Sequence, residues 1–532
     1  MPTSPPDLAI GAFTDDAPWT VDPATMTWRR GIDDLRARTR AQVPRLMRRR
    51  RLPPGRRALR VGLTLGWAVG RWYVGARRKG GTVSRADLSR RLRDAFERLG
   101  PTYIKLGQII SSGEGIFPPE LVAQFRLLRD RVRPETFDDV RAVIEADLGR
   151  PIETVFCAID EVPVAAASIA QVHRATLCTG EHVVVKVQRP HVASLVAKDL
   201  AAMSWIAPVL VGRIPVAALA NPPALVEVFA ETIVEELDFR LEAENMLDTA
   251  RILSETGEAS AMVVPRPHPD LVTRRVLVME ELRGFAFDDV AGMRAAGIDT
   301  EAIIHAGMVA FLEGAMLYGT FHGDLHGGNL IVLPDGRVGL LDHGITGRLD
   351  EQGRLAFLRL LMAGTINDVR MQLVALRTLG ALPADADIDA VIVDLRLDQP
   401  PIDPTSLTPE QLIGEMQALT RSLLAYGARM PKELMLFVKD LLFLDAAIAT
   451  LAPDIDLFAE VTKVATHFAT RHGERIMADI GIDPRATQID LEGLKASMGV
   501  PTDTPSLTYR ELQERRRVIQ RRMAAHRRGQ PA

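Results

Sequence analysis

The stretch His322-Gly-Asp-Leu-His-Gly-Gly-Asn329, followed after a short hairpin by Asp342-His-Gly344, constrains this chain more than any other part of it. Asp324 and Asn329 stand five positions apart in the order H-x-D-x-x-x-x-N, the layout of a phosphotransferase catalytic loop. The spacing has a chemical reason. An Asp must accept the proton of an attacking hydroxyl, and an amide oxygen five residues on can turn back to hold a metal ion that bridges phosphates. Leu330-Ile-Val-Leu333 and Val338-Gly-Leu-Leu341, joined by Pro334-Asp335-Gly336, predict a β-hairpin that delivers Asp342 beside the first carboxylate. Two carboxylates and an amide converging on one point suit Mg²⁺, which prefers oxygen ligands and phosphate partners. A competing reading makes His322, His326 and Asp324 a metal site of another kind and Asp342-His-Gly344 an ordinary turn. The eight-residue block, the hairpin and the trailing Asp-x-Gly together favour phosphotransfer.

A chain of 532 residues is too long for one core, so two or three folding units are expected. With 47% hydrophobic and 25% charged residues it reads as globular, and a formal charge of −3 gives no global reason to expect nucleic-acid binding. Charge is unevenly spread, with arginine dense from Arg29 to Arg98 and again from Arg510 to Arg528. Two cysteines, Cys157 and Cys178, without CxxC spacing argue against a disulfide scaffold or a structural zinc site and fit a reducing compartment. The N-terminus lacks the charged head and apolar run of a secretory signal. The apolar run Leu200–Gly212 falls short of the roughly 18–20 residues a spanning helix needs, so no transmembrane helix is expected.

Residues 1–27, rich in Pro, Asp and Thr without periodicity, predict a disordered arm. A basic cluster at Arg45–Arg51 and Arg56-Arg57 then precedes an apolar helix, Val61–Val74, that carries Trp67, Trp72 and Tyr73. Two readings stand: a segment lying on a membrane surface, or a helix docked on the main domain with its arginines solvated. Helical periodicity follows from Ser84, and Gly100-Pro101 opens a helix in which Lys105 and Gln108 share one face. Phe137–Leu148 reads as a helix, and Phe156–Ile159 as a first strand.

Glu181–Arg189 reads as a central strand with one lysine, Lys186, inside a β-branched run. Such a lysine is costly to bury unless an anion or carboxylate meets it. A strand with one embedded lysine is the layout of a kinase N-lobe, where the lysine holds the α/β-phosphates. The loop before it differs from a kinase: Ala165-Ala-Ala-Ser168 stands where a Gly-rich loop would be, and alanine makes positive φ costly. A long helix from Ala224 to about Ile252 carries Glu236, Asp238 and Glu242; it either offers a glutamate to Lys186 or presents a solvated acidic face. Arg275–Met279 is strand-like and leads into Glu280-Glu-Leu-Arg-Gly284, a natural hinge. Beyond Asp342 the pattern is helical, over Gln352–Met362, Ile366–Leu379, Pro409–Tyr426 and Pro431–Leu451, with a basic helix at Tyr509–Arg528.

Lys105-Leu-Gly-Gln108, Ala165–His173, Val184-Val-Lys186, Glu236-Leu-Asp238, His322–Asn329 and Asp342-His-Gly344 occur in that order, and together they resemble the UbiB/ABC1/ADCK family of atypical kinase-like proteins over roughly residues 85–370. The resemblance implies an α+β, two-lobed protein-kinase-like fold with a helical N-terminal extension and a helix-rich C-lobe. It implies that Lys105 and Gln108 approach the nucleotide, that Lys186 contacts phosphates and pairs with Glu242, and that Asp324 is catalytic. Asn329 and Asp342 would be Mg²⁺ ligands, with Glu236 and Asp238 an acidic motif beside them. The cofactor-binding set is then Ala165, Ala166, Ala167, Ser168, Lys186, Glu280 and Leu282, with ATP or ADP and Mg²⁺ as cofactors. Members are tied to isoprenoid-quinone biosynthesis and act at membranes as ATPases or unorthodox kinases. Here His343 replaces the usual Phe of Asp-Phe-Gly, and Gly327 stands where the family often has Pro, but neither change removes a ligand.

The expected domains are a disordered basic arm (1–55), a helical extension (56–118), an N-lobe with a helical insertion near 199–223 (119–282), a helical C-lobe (283–480) and a basic tail (481–532). The expected partners are nucleotide and quinone precursors or anionic lipid, with no nucleic acid, in the cytoplasm or at the inner face of the plasma membrane. Two other functions compete: a small-molecule kinase of the aminoglycoside or choline type, and a non-catalytic nucleotide-dependent scaffold.

Overall fold

The computed structural model of the chain describes residues 11–48, 52–75, 77, 81–111, 117–128, 133–210, 222–256, 261–399, 422, 426–487, 489–498 and 500–527. They form two compact units, one of Met1–Ala250, Val264–Leu282 and Asp342–Ile345, the other of Arg251–Val263, Arg283–Leu341 and Thr346–Ala532.

In the first unit, helices α1 (Ile32–Leu46), α2 (Gly55–Gly75), α3 (Gly81–Leu99), α4 (Pro101–Ser111), α5 (Pro119–Phe125) and α6 (Phe137–Leu148) precede strands β1 (Phe156–Ile159), β2 (Ala165–Ala166), β3 (Ala170–Leu177) and β4 (His182–Gln188). Helices α7 (Val192–Leu210), α8 (Pro222–Glu235) and α9 (Phe239–Glu255) follow. After β5 (Met262–Val263), which pairs in the second unit, β6 (Pro267–Val272) and β7 (Val276–Glu280) complete the sheet in the order β1-β3-β4-β7-β6, with β2 on β3 and every pairing antiparallel. Side chains alternate along a strand. Val183, Val185 and Val187 of β4 point into a core with Val140, Val143 and Ile144 of α6 and Val276 and Val278 of β7. That alternation puts Lys186, opposite Val172 and Leu277 in register, on the sheet face away from α6.

The disordered arm expected at the N-terminus is not what residues 11–48 show. Phe13, Val21, Met26 and Trp28 are buried, the Ala12 N–H donates to Ala250 O (2.8 Å), and the Arg29 guanidinium makes two hydrogen bonds to Glu244 (2.7 and 2.8 Å). These anchors sit in an irregular segment before α1, so neither helical nor strand periodicity marks them. Residues 1–10 and 49–51, the latter in the basic cluster, lie outside the described residues. Helix α2 docks by one face: Ala58, Val61, Ala68 and Trp72 are buried, and the Trp72 indole N–H donates to Ser84 (3.0 Å). Arg57, one residue outside that stripe, meets the fully buried Asp199 of α7 (2.5 Å). Its other face leaves Leu59, Leu63, Trp67, Tyr73 and Val74 exposed.

The long helix expected from Ala224 is two helices. Asp238 ends the first run and starts the second: its Oδ1 accepts the Arg240 N–H (3.2 Å), as a capping carboxylate does, while the Phe239 N–H leaves the helical ladder for Arg274 O (3.0 Å). Helix α7 also starts earlier than the apolar run alone indicated, at Val192. By length and composition it is, among the described residues, one of two helices apolar enough to cross a membrane, the other being Thr300–Leu317. The latter is mostly buried within the protein.

The second unit holds β8 (Phe285–Ala286), α10 (Val290–Ala295), α11 (Thr300–Leu317), β9 (Thr320–His322), β10 (Leu330–Val332), β11 (Val338–Leu340) and β12 (Thr346–Arg348). Helices α12 (Glu351–Thr365), α13 (Val369–Thr378), α14 (Ile388–Asp394), α15 (Lys432–Leu451), α16 (Leu457–Ile480), α17 (Leu491–Ser497) and α18 (Tyr509–Arg527) follow. The helix expected over Pro409–Tyr426 lies outside the described residues apart from positions 422 and 426. Strands β10 and β11 form the antiparallel hairpin that the sequence predicts, flanked by β8 and β5, and β9 pairs with β12. Helices α11, α12 and α16 share a core of Val309, Met316, Leu317, Leu358, Met362, Val464, Phe468 and Ile476. At its edge the fully buried Glu313 carboxylate takes hydrogen bonds from His467 (2.7 Å) and His472 (2.5 Å) of α16, which offset its desolvation. Phe321 of β9 packs edge-on to Phe437 of α15 (ring centroids 5.6 Å), and Phe311 of α11 stacks on Phe437 (4.9 Å). A Cβ at Gly347 would come within 2.3 Å of the Phe321 ring, so glycine in β12 permits this packing. The cluster fixes the strand that leads directly into the His322–Asn329 loop.

Candidate active site

In the first unit, β4, α9 and the Asp342–Ile345 segment bring three predicted residues together. The Lys186 ammonium lies 2.6 Å from Glu242 Oε1 and 3.1 Å from Asp342 Oδ2, and 5.5 Å from the centre of the Phe239 ring. Burial alone would lower the lysine's pKa, but Asp342 and Glu242 outweigh it and hold the ammonium protonated, above the usual lysine range. Burial pushes Glu242 up, to about 7, with Asp342 and Glu236 adding to the rise and Lys186 opposing it. On α4, Lys105 reaches Glu236 at 3.2 Å. Gln108 lies half-buried one turn further on the same helix. Three carboxylates thus lie around two ammonium groups, and their oxygens are of the kind that a hard cation such as Mg²⁺ takes. Asp342 and Glu236 are the groups that would hold it. Asp238, expected beside them, is engaged by Arg240 (2.9 and 2.7 Å) and by its capping role.

The Asp342 segment is held closely. The Asn245 amide donates to His343 O (2.9 Å), and the Gly344 N–H donates to Asp342 Oδ1 (2.9 Å). A Cβ on Gly344 would stand 3.1 Å from that oxygen and 3.6 Å from Glu236 Cγ, so glycine allows the two acidic segments to approach. His343 is buried.

Ala165–Ser168 supplies β2 and the start of the turn into β3, closed by the Ala167 N–H on Ala170 O (2.8 Å), and Ser168 is buried. Among the described residues positive φ outside glycine occurs at His191, Asn367 and Arg396, so this turn uses a backbone that alanine adopts freely. Arg189 donates to Ala167 O (3.0 Å) and to Glu135 (2.7 Å), bracing the turn from the end of β4. Next to it, the buried His173 gives Nδ1–H to Asp160 O (2.7 Å), which leaves Nε2 to accept from the Gln171 amide (2.9 Å). Burial holds His173 below the usual imidazole range, so it stays neutral. Of the hinge residues, Glu280 pairs with Val183 across β4 and turns its carboxylate onto Arg266 (3.2 Å) and the Thr14 hydroxyl. Burial raises its pKa against those partners. Leu282 is half-buried just beyond β7.

The second unit carries the loop. His322 Nδ1 accepts the Asp324 N–H, and His326 Nδ1 accepts the Gly328 N–H, both at 3.1 Å. Both imidazoles therefore act as braces of their own turns, which disfavours the competing reading of a His-based metal site. The Asn329 amide nitrogen donates to Asp324 O (3.0 Å), which closes the five-residue loop by a side-chain to backbone bond. Lys439 of α15 forms an ion pair with the Asp324 carboxylate. Asp440, fully buried, accepts the Leu325 N–H (3.0 Å) and so fixes the loop backbone. Burial raises the Asp440 carboxyl well above the usual carboxylate range, with Asp324 adding to the rise and Lys439 and the Leu325 N–H opposing it.

Lys439, Asp440, Asn245 and Arg189 are the residues that pattern reading missed. Asp440 left a trace: it follows the buried Leu436 and Phe437 by four and three positions, which places it on the buried stripe of α15. A carboxylate on such a stripe needs a partner.

The fold and this residue set define a kinase-like phosphotransferase architecture. Residues 127–374 match the ABC1 atypical kinase-like domain. The chain is 36% identical over 443 residues to an uncharacterized protein of Mycobacterium tuberculosis, across 81% of this chain and 89% of the relative. It is 32% identical over 393 residues to a chloroplastic protein of Arabidopsis thaliana named an uncharacterized aarF domain-containing protein kinase, across 69% and 73% of the two chains. It is also 32% identical over 377 residues to the "Probable protein kinase UbiB" of Vibrio vulnificus, across 70% and 69%. The chain belongs to the UbiB/ABC1/ADCK family of atypical kinase-like proteins.

Proposed function

We propose that the chain is a Mg²⁺-dependent, ATP- and ADP-binding atypical kinase or ATPase that serves isoprenoid-quinone or other membrane-lipid metabolism. The observation that carries this reading is the contact of Lys186 with both Glu242 and Asp342. In this reading Lys186, oriented by Glu242, binds the α/β-phosphates of the nucleotide. Asp342 and Glu236 would hold Mg²⁺, which would neutralise charge on the phosphates. Asp324 accepts the proton of the attacking hydroxyl or water as its oxygen bonds to the γ-phosphorus and the bond to the β–γ bridging oxygen breaks, releasing ADP. Lys439, paired with the Asp324 carboxylate, orients it for that transfer, and Asp440 holds the loop backbone at Leu325. The braced alanine turn covers the phosphates, and Lys105 and Gln108 restrict what can approach them.

Peripheral attachment at the cytoplasmic face of a membrane is part of the same reading. Leu59, Leu63, Trp67 and Tyr73 are exposed on α2, with the Arg71 and Arg77 guanidinium groups 5.7 and 4.4 Å from the Trp67 and Tyr73 ring centres. Aromatic and basic residues together suit an interface between apolar chains and anionic headgroups. The test is nucleotide turnover by the full chain with Mg²⁺, alone and with cardiolipin-containing vesicles and a quinone-precursor mimic. Turnover that rises with the vesicles and the mimic is expected. Turnover indifferent to both, together with transfer of phosphate to a soluble amino-alcohol, would favour the small-molecule kinase instead.

A further inference from the structure

Cys157 and Cys178 are the chain's two cysteines, and they meet at the exposed edge of the first unit's sheet. In the antiparallel pairing of β1 with β3, Phe156 opposes Leu177 and both are buried, yet the next match is Ala158 with Thr176. Cys157 is therefore the extra residue of a bulge, a device that re-aims a side chain. Cys178 extends the ladder one step, its N–H donating to Val155 O (3.0 Å). The two thiols end on the same open side, with the sulfurs 2.7 Å apart. Strand pairing holds Cys157 on either side, and Cys178, the first residue of the turn after β3, is held by its N–H bond to Val155 O.

We infer that Cys157 and Cys178 form a dithiol–disulfide site, oxidised by exchange with a small-molecule disulfide of the glutathione type. The Cys157 thiolate attacks one sulfur of the external disulfide, whose S–S bond breaks and releases one thiolate. The Cys178 thiolate then attacks the Cys157 sulfur of the mixed disulfide and expels the second. The two cysteines are oxidised, the external disulfide is reduced to two thiols, and the two cysteine protons pass to the departing thiolates. The closed ring ties β1 to β3 and encloses the segment carrying Ala165–Ser168, Gln171 and His173. This inference is independent of the phosphotransfer reading, since it rests on strand register alone.

The test treats the fully reduced full-length chain with oxidised glutathione, quenches with acid, and reads intact mass and a peptide map, once under native conditions and once in urea. Expected are a loss of two hydrogens per chain, a peptide joining Cys157 to Cys178, and closure faster by about tenfold or more in the folded chain, where the thiols are held together. Cys178→Ser should stop at a single glutathione adduct on Cys157. Wild-type chain that stops at glutathione adducts, forms covalent dimers, or closes no faster folded than in urea overturns the inference.

Discussion

Lys186 Nζ and Glu242 Oε1 lie 2.6 Å apart in a buried setting, although 56 residues separate them in sequence. Removing one partner of a buried pair leaves the other charge uncompensated, at a cost of about 3–5 kcal/mol. Here the cost has an escape on one side only. Glu242 already has a pKa near 7 and can take a proton, whereas Lys186 is held firmly charged by Asp342 as well. Glu242→Gln and Lys186→Met should therefore each destabilise the first unit, and the double variant should lose less than the sum of the two, by about 1–3 kcal/mol. Urea unfolding of the four proteins measures this. Strict additivity would mean that the two side chains do not sense each other.

Asp342→Asn should weaken Mg²⁺–nucleotide binding by about tenfold or more, because one charged oxygen ligand of a hard cation is lost. The comparison is calorimetric titration with nucleotide in Mg²⁺ and in EDTA. Wild type and variant should differ in Mg²⁺ and converge in EDTA. Equal affinities in Mg²⁺ would remove Asp342 from the metal set.

How far the sequence reveals this arrangement depends on whether a feature is periodic. The β10–β11 hairpin and α6 follow from alternation and helical spacing. The anchors Phe13, Val21, Met26 and Trp28 obey no period, so a segment that packs tightly reads as an arm. The break at Asp238 was legible in principle, since Asp is a strong capping residue, but the acidic run around it resembles an ordinary helix face. Lys439 and Asp440 differ again: their partners Asp324 and Leu325 are more than a hundred positions away, and only the fold brings them together.

Lys105 meets Glu236 at 3.2 Å, which couples the Lys105–Gln108 helix to the acidic segment beside Asp342. Lys105→Ala should shift the preference between ATP and ADP or change turnover by a few-fold, and, because it leaves the buried Glu236 carboxylate without this partner, it should also cost stability, by up to about 3–5 kcal/mol. Competition between the two nucleotides for the wild type and the variant decides the matter. Unchanged preference and unchanged turnover would reduce this helix to a structural role.

Asp440 gives a pH-dependent prediction. Its carboxyl is held well above the ordinary value in the folded chain and titrates normally in the unfolded one. Below about pH 4 the group is protonated in both states and carries no penalty. As pH rises, the unfolded chain releases its proton first, so the wild type loses stability relative to Asp440→Asn by about 1.4 kcal/mol per pH unit, until the folded carboxyl also ionises. Asn keeps an acceptor for the Leu325 N–H, whereas Asp440→Ala removes it and should cost a further 1–3 kcal/mol, roughly independent of pH. Urea midpoints of the three proteins between pH 4 and pH 7 separate the two effects. Turnover should follow the backbone contact rather than the charge, falling more in Asp440→Ala than in Asp440→Asn. A difference between wild type and Asp440→Asn that stays flat across this range would mean that Asp440 ionises in the folded chain as it does in water.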